Sequence, residues 1–274
     1  MIVPTVEVVI ATRNDNKKRL GHTIKSILNS DYENYTITII NDSILPLEID
    51  WIQNHKLIKI INNRANIGLT QSLINAIGES KAKYIARIDD GDEMYPTRIS
   101  QQVNYLLNHQ NCVLVGCVTE IFIKKKTKQK VYNSKYLDFK SIQNHIKHSN
   151  PFVHGSILFC LETYNKVGGY DSSVRVAQDI NLYLKMIKCG ELGILNETLH
   201  MHTFNMESSI TFKKNKLSVF SAMKSRAKLL TGVEKLNKFY IYGLLRDIAL
   251  LIIPSKILNF LRMKRLELRI PNAN

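Results

Sequence analysis

The segment Tyr84-Ile-Ala-Arg-Ile-Asp-Asp-Gly-Asp92 starts as an apolar run and ends in a cluster of carboxylates. Its first five residues have the composition of a buried β-strand. The three aspartates follow at once, where the chain has to turn. Because ligands of open α/β sheets bind just beyond the carboxyl ends of the strands, this turn is a candidate binding site.

The alternation of strands and helices extends to both sides of this segment. Further strands are predicted at residues 6–11, 35–40, 57–61 and 113–115, and helices at residues 20–28, 69–77 and 99–107. Downstream, residues 152–159 predict another strand, and residues 180–187 predict a helix whose first turn contains Asp179. Strands that alternate with helices predict a mostly parallel, Rossmann-like α/β sheet with flanking helices.

The positive charge of the chain is concentrated at its C-terminal end. The 274 residues carry a formal net charge of +15, and residues 213–274 contain 14 Lys and Arg against three Asp and Glu. We therefore divide the chain into an α/β domain, residues 1–212, and a basic amphipathic helical tail, residues 213–274. Such a cationic block binds phosphates, either of nucleic acid or of an anionic membrane surface.

The tail also contains an apolar stretch, residues 239–261, which includes Arg246, Asp247, Pro254 and Lys256. These interruptions argue against a membrane-spanning helix. A helix that lies on the membrane surface, with its apolar side facing the lipid, is favoured. The alternative is a helix pair that packs on the domain or on a partner subunit.

The cysteines and the N-terminus point to the cytosol. The four cysteines form no CxxC pair, and residues 1–10 lack the pattern of a signal peptide. We therefore expect reduced cysteines and a cytoplasmic protein that associates peripherally with the inner face of the membrane through its tail.

Polar side chains follow three of the predicted strands, at ends that meet in a parallel sheet. They are Thr12, Arg13 and Asn14 after the first strand, Asn41 and Asp42 after the second, and Asp89, Asp90 and Asp92 after the strand at residues 84–88. Carboxylates this close repel one another unless a cation lies among them. Hard oxygen ligands suit Mg²⁺ or Mn²⁺, which bind diphosphates. A solvated acidic turn without a metal is the alternative.

The first turn excludes two common nucleotide-binding motifs. The sequence Ala11-Thr-Arg-Asn-Asp-Asn16 contains no glycine, whereas dinucleotide-binding and P-loop motifs both need glycines after the first strand. A nucleotide would therefore be held by side chains and a metal.

Several ordered segments resemble the blocks of family 2 glycosyltransferases with the GT-A fold. They are Val-Val-Ile-Ala-Thr-Arg-Asn (8–14), Ile-Ile-Asn-Asp-Ser (39–43), Asn-Ile-Gly-Leu (66–69), the acidic block at 84–98, Pro-Phe-Val-His-Gly-Ser (151–156), Val-Gly-Gly-Tyr-Asp (167–171) and Ala-Gln-Asp-Ile-Asn-Leu (177–182). The resemblance covers about residues 4–212. It implies an inverting, metal-dependent transfer of a sugar from a nucleotide-sugar donor, UDP-linked, to a hydroxyl of a surface-glycan or lipid-linked acceptor.

The resemblance also implies roles for individual residues. Asp179 matches the family's catalytic acidic position and is expected to take the proton from the attacking hydroxyl. The expected donor-binding residues are Thr12, Arg13, Asn14, Asp42, Asn66, Gly68, Arg87, Asp89 and Asp90. The expected acceptor-side residues are His154, Gly169, Tyr170 and Gln178.

The metal ligands are left open by one departure from the family pattern. The family motif reads Asp-x-Asp, but position 91 is glycine here. We expect Asp89 and Asp92 to hold Mn²⁺ or Mg²⁺, with Asp90 or His202 as alternative ligands. A metal there would neutralise the leaving diphosphate.

Two other functions remain as alternatives. A nucleotidyltransferase on a related sheet would need a glycine-rich basic loop after the first strand, and none is present. A nucleic-acid binder that uses the tail would leave the ordered acidic blocks unexplained, and aromatic side chains do not alternate with the basic ones. We therefore expect no nucleic-acid partner.

Overall fold

The computed structural model describes residues 3–13, 16–123, 129–132, 138–204, 209–230 and 238–268. Asn14, one of the expected donor-binding residues, lies outside these ranges. The strands within them are Val6–Thr12 (β1), Tyr35–Asn41 (β2), Ile58–Asn62 (β3), Tyr84–Arg87 (β4), Glu93–Met94 (β5), Cys112–Ile123 (β6), Gln129–Tyr132 (β7), Leu158–Cys160 (β8) and Glu191–Phe204 (β9).

The helices surround this set of strands along the chain. They are Lys17–Leu28 (α1), Asp50–Gln53 (α2), Leu69–Gly78 (α3), Arg98–Asn108 (α4), Phe139–His148 (α5), Leu161–Lys166 (α6), Gln178–Met186 (α7), Ile210–Lys213 (α8), Asn215–Leu230 (α9), Lys238–Ile252 (α10) and Ser255–Leu268 (α11). A short 3₁₀ turn, His154–Ser156, precedes β8.

The described strands form one mixed sheet in the order β3-β2-β1-β4-β8-β6-β9-β5, with β7 paired to β6. The first four strands of this order are parallel. Strand β8 runs antiparallel to both β4 and β6, and β9 runs parallel to β6. The predicted α/β sheet with flanking helices is therefore confirmed, with its continuous parallel part confined to the N-terminal strands.

Both faces of the sheet are covered by helices. Along β1, Val8 and Ile10 point to a core that includes α1, α2 and α4, whereas Val9 points to a second core with α3, α5 and α7. Strands buried on both faces read as continuous apolar runs, which is why β1 and β2 were recognisable from sequence.

The prediction of a strand over residues 152–159 is wrong for most of its length. The chain forms the 3₁₀ turn there, and only Leu158–Cys160 pairs as a strand. The Ser156 hydroxyl donates to the carbonyl of Val153 at 2.9 Å, a local bond that competes with strand pairing. The long strand β9 was not predicted, because Gly193 and the pair Asn196-Glu197 interrupt its apolar pattern, and its pairing with β6 shifts register after Leu195.

The tail packs on the α/β domain through two helices. Helix α9 contacts α7, where Asn181 Nδ2 donates to Ser225 Oγ at 3.1 Å. Helix α10 contacts α9 and α5, and Arg226 forms a buried ion pair with Asp247 between α9 and α10. The packing alternative is therefore observed, and α10 ends before Pro254 as that residue requires.

The tail helices α10 and α11 also carry exposed apolar side chains. Those on α10 lie at helical spacing, and more follow on α11; they are Ile241, Tyr242, Leu245, Ile248, Ile252, Ile257, Phe260 and Leu261. Among the helices described, none combines the length and the apolar character that crossing a bilayer demands.

The close approach of α10 to α5 generates a stability prediction. A Cβ at Gly243 would lie 2.7 Å from the Lys147 carbonyl oxygen and 2.9 Å from the His148 Cα. Gly243→Ala should therefore lower the free energy of unfolding by about 1 to 3 kcal/mol, because backbone atoms cannot easily move aside. Urea denaturation measures the change.

Gly78→Ala is the matched control for this substitution. Gly78 also lies in a helix, but a Cβ there meets no atom within 4 Å. Helix propensity alone should make this variant more stable by up to about 1 kcal/mol. Equal stabilisation of the two variants would contradict the packing of α10 on α5.

Candidate active site

The site lies at the carboxyl ends of β1, β2 and β4, as the sequence predicted. The acidic turn after β4 is bordered by α1 on one side and by the second half of β9 on the other. The beginning of α7 brings Asp179 to the same region. There the charge of Arg87, at the end of β4, acts to lower the pKa of the Asp179 carboxyl.

Asp90 closes the acidic turn onto α1. Arg19 donates to both of its carboxylate oxygens, from Nε at 3.1 Å and from Nη2 at 2.9 Å, and the Thr12 hydroxyl donates at 2.6 Å. A bidentate arginine and a hydroxyl occupy this carboxylate. Asp90 is therefore poorly suited to be the alternative metal ligand. Thr12, expected to bind the donor, uses its hydroxyl to hold the acidic turn.

Gly91 owes its identity to the same contact. Its backbone has a φ of +99°, and a Cβ would lie 2.6 Å from Cδ of Arg19. Its amide donates to the Thr23 hydroxyl at 2.9 Å. The aspartate that the family pattern has here is excluded by the arginine that neutralises Asp90.

Asp92 is buried between two histidines of β9. His202 Nδ1 lies 2.8 Å from one carboxylate oxygen, and His200 Nε2 lies 3.2 Å from the other. Burial acts to raise the pKa of Asp92, but the two imidazoles outweigh it and hold that pKa well below its ordinary value. Burial likewise acts to lower the pKa of His202, but Asp92 outweighs it and raises that pKa.

The 3₁₀ turn covers this Asp–His group. A Cβ at Gly155 would lie 2.8 Å from an oxygen of Asp92 and 3.0 Å from His200 Nε2. Only a glycine lets the turn approach so closely. Nε2 of the neighbouring His154 shares a hydrogen bond of 2.7 Å with the Tyr170 hydroxyl. Burial holds the pKa of His154 well below its ordinary value, so the ring is neutral.

Arg87 is a fully buried cation whose guanidinium is only partly engaged. Its Nη1 lies 2.5 Å from Asp89, whose side chain is 39% exposed. Nε and Nη2 have no hydrogen-bond partner among the described residues. Burial acts to lower the pKa of Arg87, but Asp89 outweighs it, so the guanidinium stays charged. Arg98, the first residue of α4, is also buried and donates to the carbonyls of Arg87 and Ile157.

Asp179 occupies the first turn of α7, as predicted. Asn150 Nδ2 donates to its Oδ2 at 2.7 Å. Burial raises the pKa of Asp179, and the hydrogen bonds and Arg87 oppose this only in part. The residue before the helix, Ala177, has a φ of 58° and is the one described non-glycine residue in the left-handed region. Such strain is common at functional sites.

Gly169 and Tyr170 form a tight turn beside α7. Gly169 has a φ of +55°, and a Cβ there would lie 2.5 Å from the Tyr164 ring. The Tyr170 amide donates to the Tyr164 hydroxyl at 3.2 Å, and Tyr170 is buried with its pKa raised by that burial. Gln178, the remaining acceptor-side prediction, is buried at the start of α7.

The predicted donor residues around β2 form a single turn. The Asp42 carboxylate accepts the amides of Ile67 at 2.8 Å and Gly68 at 2.9 Å, and Asn66 Nδ2 donates to the Asp42 carbonyl at 3.0 Å. Asp42 thus shapes the loop that begins α3. Arg13 is exposed at the end of β1.

Two residues of the site were missed from the sequence. Arg19 lies far from the acidic turn along the chain, and its helix gave no sign that it would face Asp90. Asn150 stands directly before the block at residues 151–156, and the adjacent proline was the one available signal. Both become visible only when distant elements are placed together.

The described residues include no group of three or more His, Cys, Asp or Glu arranged to hold a metal ion. A smaller donor set does fit one. Asp89 exposes part of its carboxylate, and its charge adds to that of Asp92 in raising the pKa of His202. Asp92 holds Nδ1 of His202, which is how metal-binding histidines are commonly oriented. Asp92 thus fits an orienting role better than a ligand's.

The sequence of the chain is similar to known glycosyltransferases. An uncharacterized glycosyltransferase of Haemophilus influenzae is 30% identical over 60% of this chain, which spans about half (49%) of that relative's length. The Bacillus subtilis protein EpsE is 28% identical over 72% of each chain. The O-antigen biosynthesis glycosyltransferase WbnJ of Escherichia coli is 26% identical over 68% of this chain and 73% of its own.

Solved structures share the fold. The mannosyltransferase PcManGT of Pyrobaculum calidifontis, in complex with GDP-Man and Mn²⁺, superposes with a TM-score of 0.64 at 14% identity, over 93% of this chain and 72% of its own. TarS 1–349 of S. aureus, in complex with UDP, gives 0.60 at 11% identity, over 96% and 88%. The predicted GT-A type of sheet is thereby confirmed.

The family follows from the extent of the sequence match. The sequence model of glycosyl transferase family 2 matches residues 7–167, which is more than half of the chain. This span contains β1, the Asp42 turn and the whole acidic turn after β4. The predicted enzyme class, glycosyltransferase, is confirmed, and the chain belongs to glycosyl transferase family 2.

Proposed function

We propose that the chain is an inverting, metal-dependent glycosyltransferase that moves a sugar from a UDP-sugar to a hydroxyl of a surface-glycan or lipid-linked acceptor. The observation that carries this proposal is the pairing of a buried carboxylate with a raised pKa, Asp179, with a buried and partly unengaged cation, Arg87, in one site. The names of WbnJ and of the TarS complex support the acceptor class and the nucleotide.

Asp179 is the proposed base. A single displacement at the anomeric carbon needs a carboxylate that accepts the proton of the attacking hydroxyl. Burial raises the pKa of Asp179, which makes its ionised form a stronger base than an exposed aspartate. We assign His154, Gly169, Tyr170 and Gln178 to the acceptor; of these, His154 and Tyr170 share a hydrogen bond of 2.7 Å.

The leaving diphosphate needs positive charge. Arg87 is proposed to supply part of it, because its guanidinium is charged and pairs through Nη1 with the partly exposed carboxylate of Asp89. Charge-assisted bonds from a desolvated guanidinium orient a diphosphate as well as neutralise it. The nucleoside is proposed to lie against the loop that Asp42, Asn66 and Gly68 form. We also assign Thr12, Arg13 and Asn14 to donor binding.

A divalent cation, Mn²⁺ or Mg²⁺, would be held by Asp89 and His202. Such ions are often bound by one or two protein ligands together with substrate phosphates. The cation supplies neutralisation of the diphosphate as it leaves. The Mn²⁺ in the PcManGT complex supports this part of the proposal.

The tail is proposed to bind an anionic membrane surface, which places the enzyme at the inner face of the membrane. The exposed apolar residues of α10 and α11 lie beside the basic residues Lys256, Arg262 and Lys264. Apolar burial combined with attraction to anionic headgroups is the usual basis for helices that lie on a membrane. A lipid-linked acceptor would be presented there.

The transfer reaction is tested with a panel of nucleotide sugars and Mn²⁺, scored by release of the free nucleotide. One UDP-sugar should be consumed, and Asp179→Asn should lower kcat by about 10²- to 10⁴-fold while the affinity for UDP stays within about twofold. The amide keeps the shape of the side chain but cannot accept the proton.

Asp171→Asn is the control for this substitution. Asp171 lies in the same stretch but bonds to Ser173, away from the base. Its activity should stay close to that of the unchanged chain. Loss of UDP affinity in Asp179→Asn, or consumption of none of the sugars by folded protein, would contradict the proposal. Release of diphosphate from nucleoside triphosphates would indicate a nucleotidyltransferase instead.

The metal assignment predicts a change in metal binding that does not depend on activity. His202→Gln should weaken Mn²⁺ binding in the presence of UDP by about 10- to 100-fold, measured by electron paramagnetic resonance of free Mn²⁺. The control is His22→Gln, because His22 is an exposed histidine of α1. Unchanged Mn²⁺ affinity in the His202 variant would remove this residue from the ligand set.

The membrane assignment is tested by flotation with vesicles of phosphatidylglycerol and phosphatidylcholine. Leu245→Asp with Ile248→Asp should abolish flotation, because both side chains are exposed on the proposed lipid-facing side of α10. Ile44→Asp with Leu45→Asp, equally exposed on the α/β domain, should float like the unchanged chain. Equal flotation of both double variants, or binding to nucleic acid in place of vesicles, would contradict the assignment.

A further inference from the structure

We propose that Asn150 is a positioning residue that fixes the carboxylate of Asp179 and favours its ionised form. This inference rests on the proposed function, since it concerns the base of that reaction. Its structural basis is a hydrogen bond of 2.7 Å from Asn150 Nδ2 to Asp179 Oδ2. The bond joins residues from two separate segments, the one that follows α5 and the first turn of α7.

The orientation of the Asn150 amide is determined by a second bond. Its Oδ1 accepts the backbone amide of Phe152 at 3.0 Å. A flipped amide would place its NH₂ group against that N–H donor, so the amide nitrogen has to face Asp179. Asn150 is therefore a donor to the carboxylate and cannot act as a competing base.

The segment that carries Asn150 has little room to move. The Phe152 ring packs against the Tyr183 ring of α7 with centroids 5.2 Å apart. On its other side, a Cβ at Gly116 of β6 would lie 2.7 Å from that ring. Close packing on both sides fixes the distance between the segment and α7.

Helices of the tail pack against the two segments that carry Asn150 and Asp179. Helix α10 lies against the end of α5, two residues before Asn150, with the Tyr242 ring 5.4 Å from the His148 ring. Helix α9 lies against α7, where Ser225 accepts from Asn181, two residues after Asp179. The donor and the carboxylate are thus held by separate helices of the same tail.

The charges that face Asp179 come from several elements. The charge of Arg87 in β4 acts to lower the pKa of Asp179, and the charge of Asp179 in turn affects the pKa values of Arg226 in α9, Tyr170 and Tyr183. Burial raises the pKa of Asp179, and the bond from Asn150 acts to lower it. A neutral donor stabilises the ionised carboxylate without the strong attraction of an ion pair, which would make proton acceptance harder.

The sign of the expected pH effect follows from this balance. Removal of the Asn150 donor leaves burial less opposed, so the pKa of Asp179 rises. Because the base must be ionised, the acid limb of kcat/KM then moves to higher pH. Asn150→Asp should move it furthest, because a second carboxylic acid beside Asp179 adds like-charge repulsion.

The experiment compares pH profiles of kcat/KM for Asn150→Asp, Asn150→Ala and a control. We expect the acid limb to rise by about one pH unit or more in Asn150→Asp, and by less in Asn150→Ala, which corresponds to about a tenfold loss of kcat/KM below the limb for the first variant. UDP affinity should stay within about twofold in both. Asn150→Asp keeps the acceptor for the Phe152 amide, so its fold should be retained.

Asn181→Ala is the matched control, because Asn181 is a nearby asparagine that bonds to Ser225 and not to Asp179. It should lower stability without moving the acid limb. An unshifted limb in both Asn150 variants, with Asp179→Asn inactive, would overturn the role of Asn150 and leave the proposed function intact. An active Asp179→Asn would instead overturn the proposed base.

Discussion

Repulsion between like charges in the turn after β4 is the constraint on which the rest of the site depends. Asp89, Asp90 and Asp92 stand within four residues of one another, and each is opposed by a different group. Arg87 faces the first, Arg19 of α1 faces the second, and the histidine pair of β9 faces the third. Neutralisation of the turn therefore joins three elements that are distant in sequence, and it explains why a glycine stands at position 91.

The contacts of the tail show that it has a structural role in addition to its positive charge. Its net positive charge suggests that the tail serves only to bind anionic partners. Arg226, however, lies inside the protein, where it forms a buried ion pair with Asp247. Buried pairs of this kind tolerate the loss of one partner poorly. The inner side of the tail is thus part of the scaffold behind α5 and α7, and only its outer side is available for a surface.

Much of the fold could be predicted from the sequence because it is encoded locally. Strands β1, β2 and β4 are buried on both faces, and helices α1 and α3 are buried along one stripe, so apolar periodicity marks them. The position of Asp179 at a helix start was equally local. The predicted strand at 152–159 is mostly absent because the Ser156 hydroxyl bonds the carbonyl of Val153. Strand β9 was missed because Gly193 and Asn196-Glu197 interrupt its apolar pattern, so that pairing with β6 keeps it extended.

The contacts of the site were harder to predict, because they depend on tertiary geometry. That Asp90 would be held by Arg19, or Asp179 by Asn150, has no counterpart in spacing along the chain. The metal position illustrates the same limit: the sequence offered three carboxylates as ligands, while the structure commits two of them to other partners and leaves Asp89 the most exposed. Recognition of ordered blocks pointed to the carboxyl ends of β1, β2 and β4 without revealing these contacts.

The pairing of β6 with β9 has a consequence for biogenesis. The two strands are joined over most of their length although about seventy residues separate them in the sequence, and contacts between such distant segments form late. During vectorial synthesis the four parallel strands, complete by Arg87, can assemble on the ribosome before β9 has been made. Asp92 lacks its contacts with His200 and His202 until β9 has been synthesised. The parallel part of the sheet can therefore form well before the candidate active site is complete.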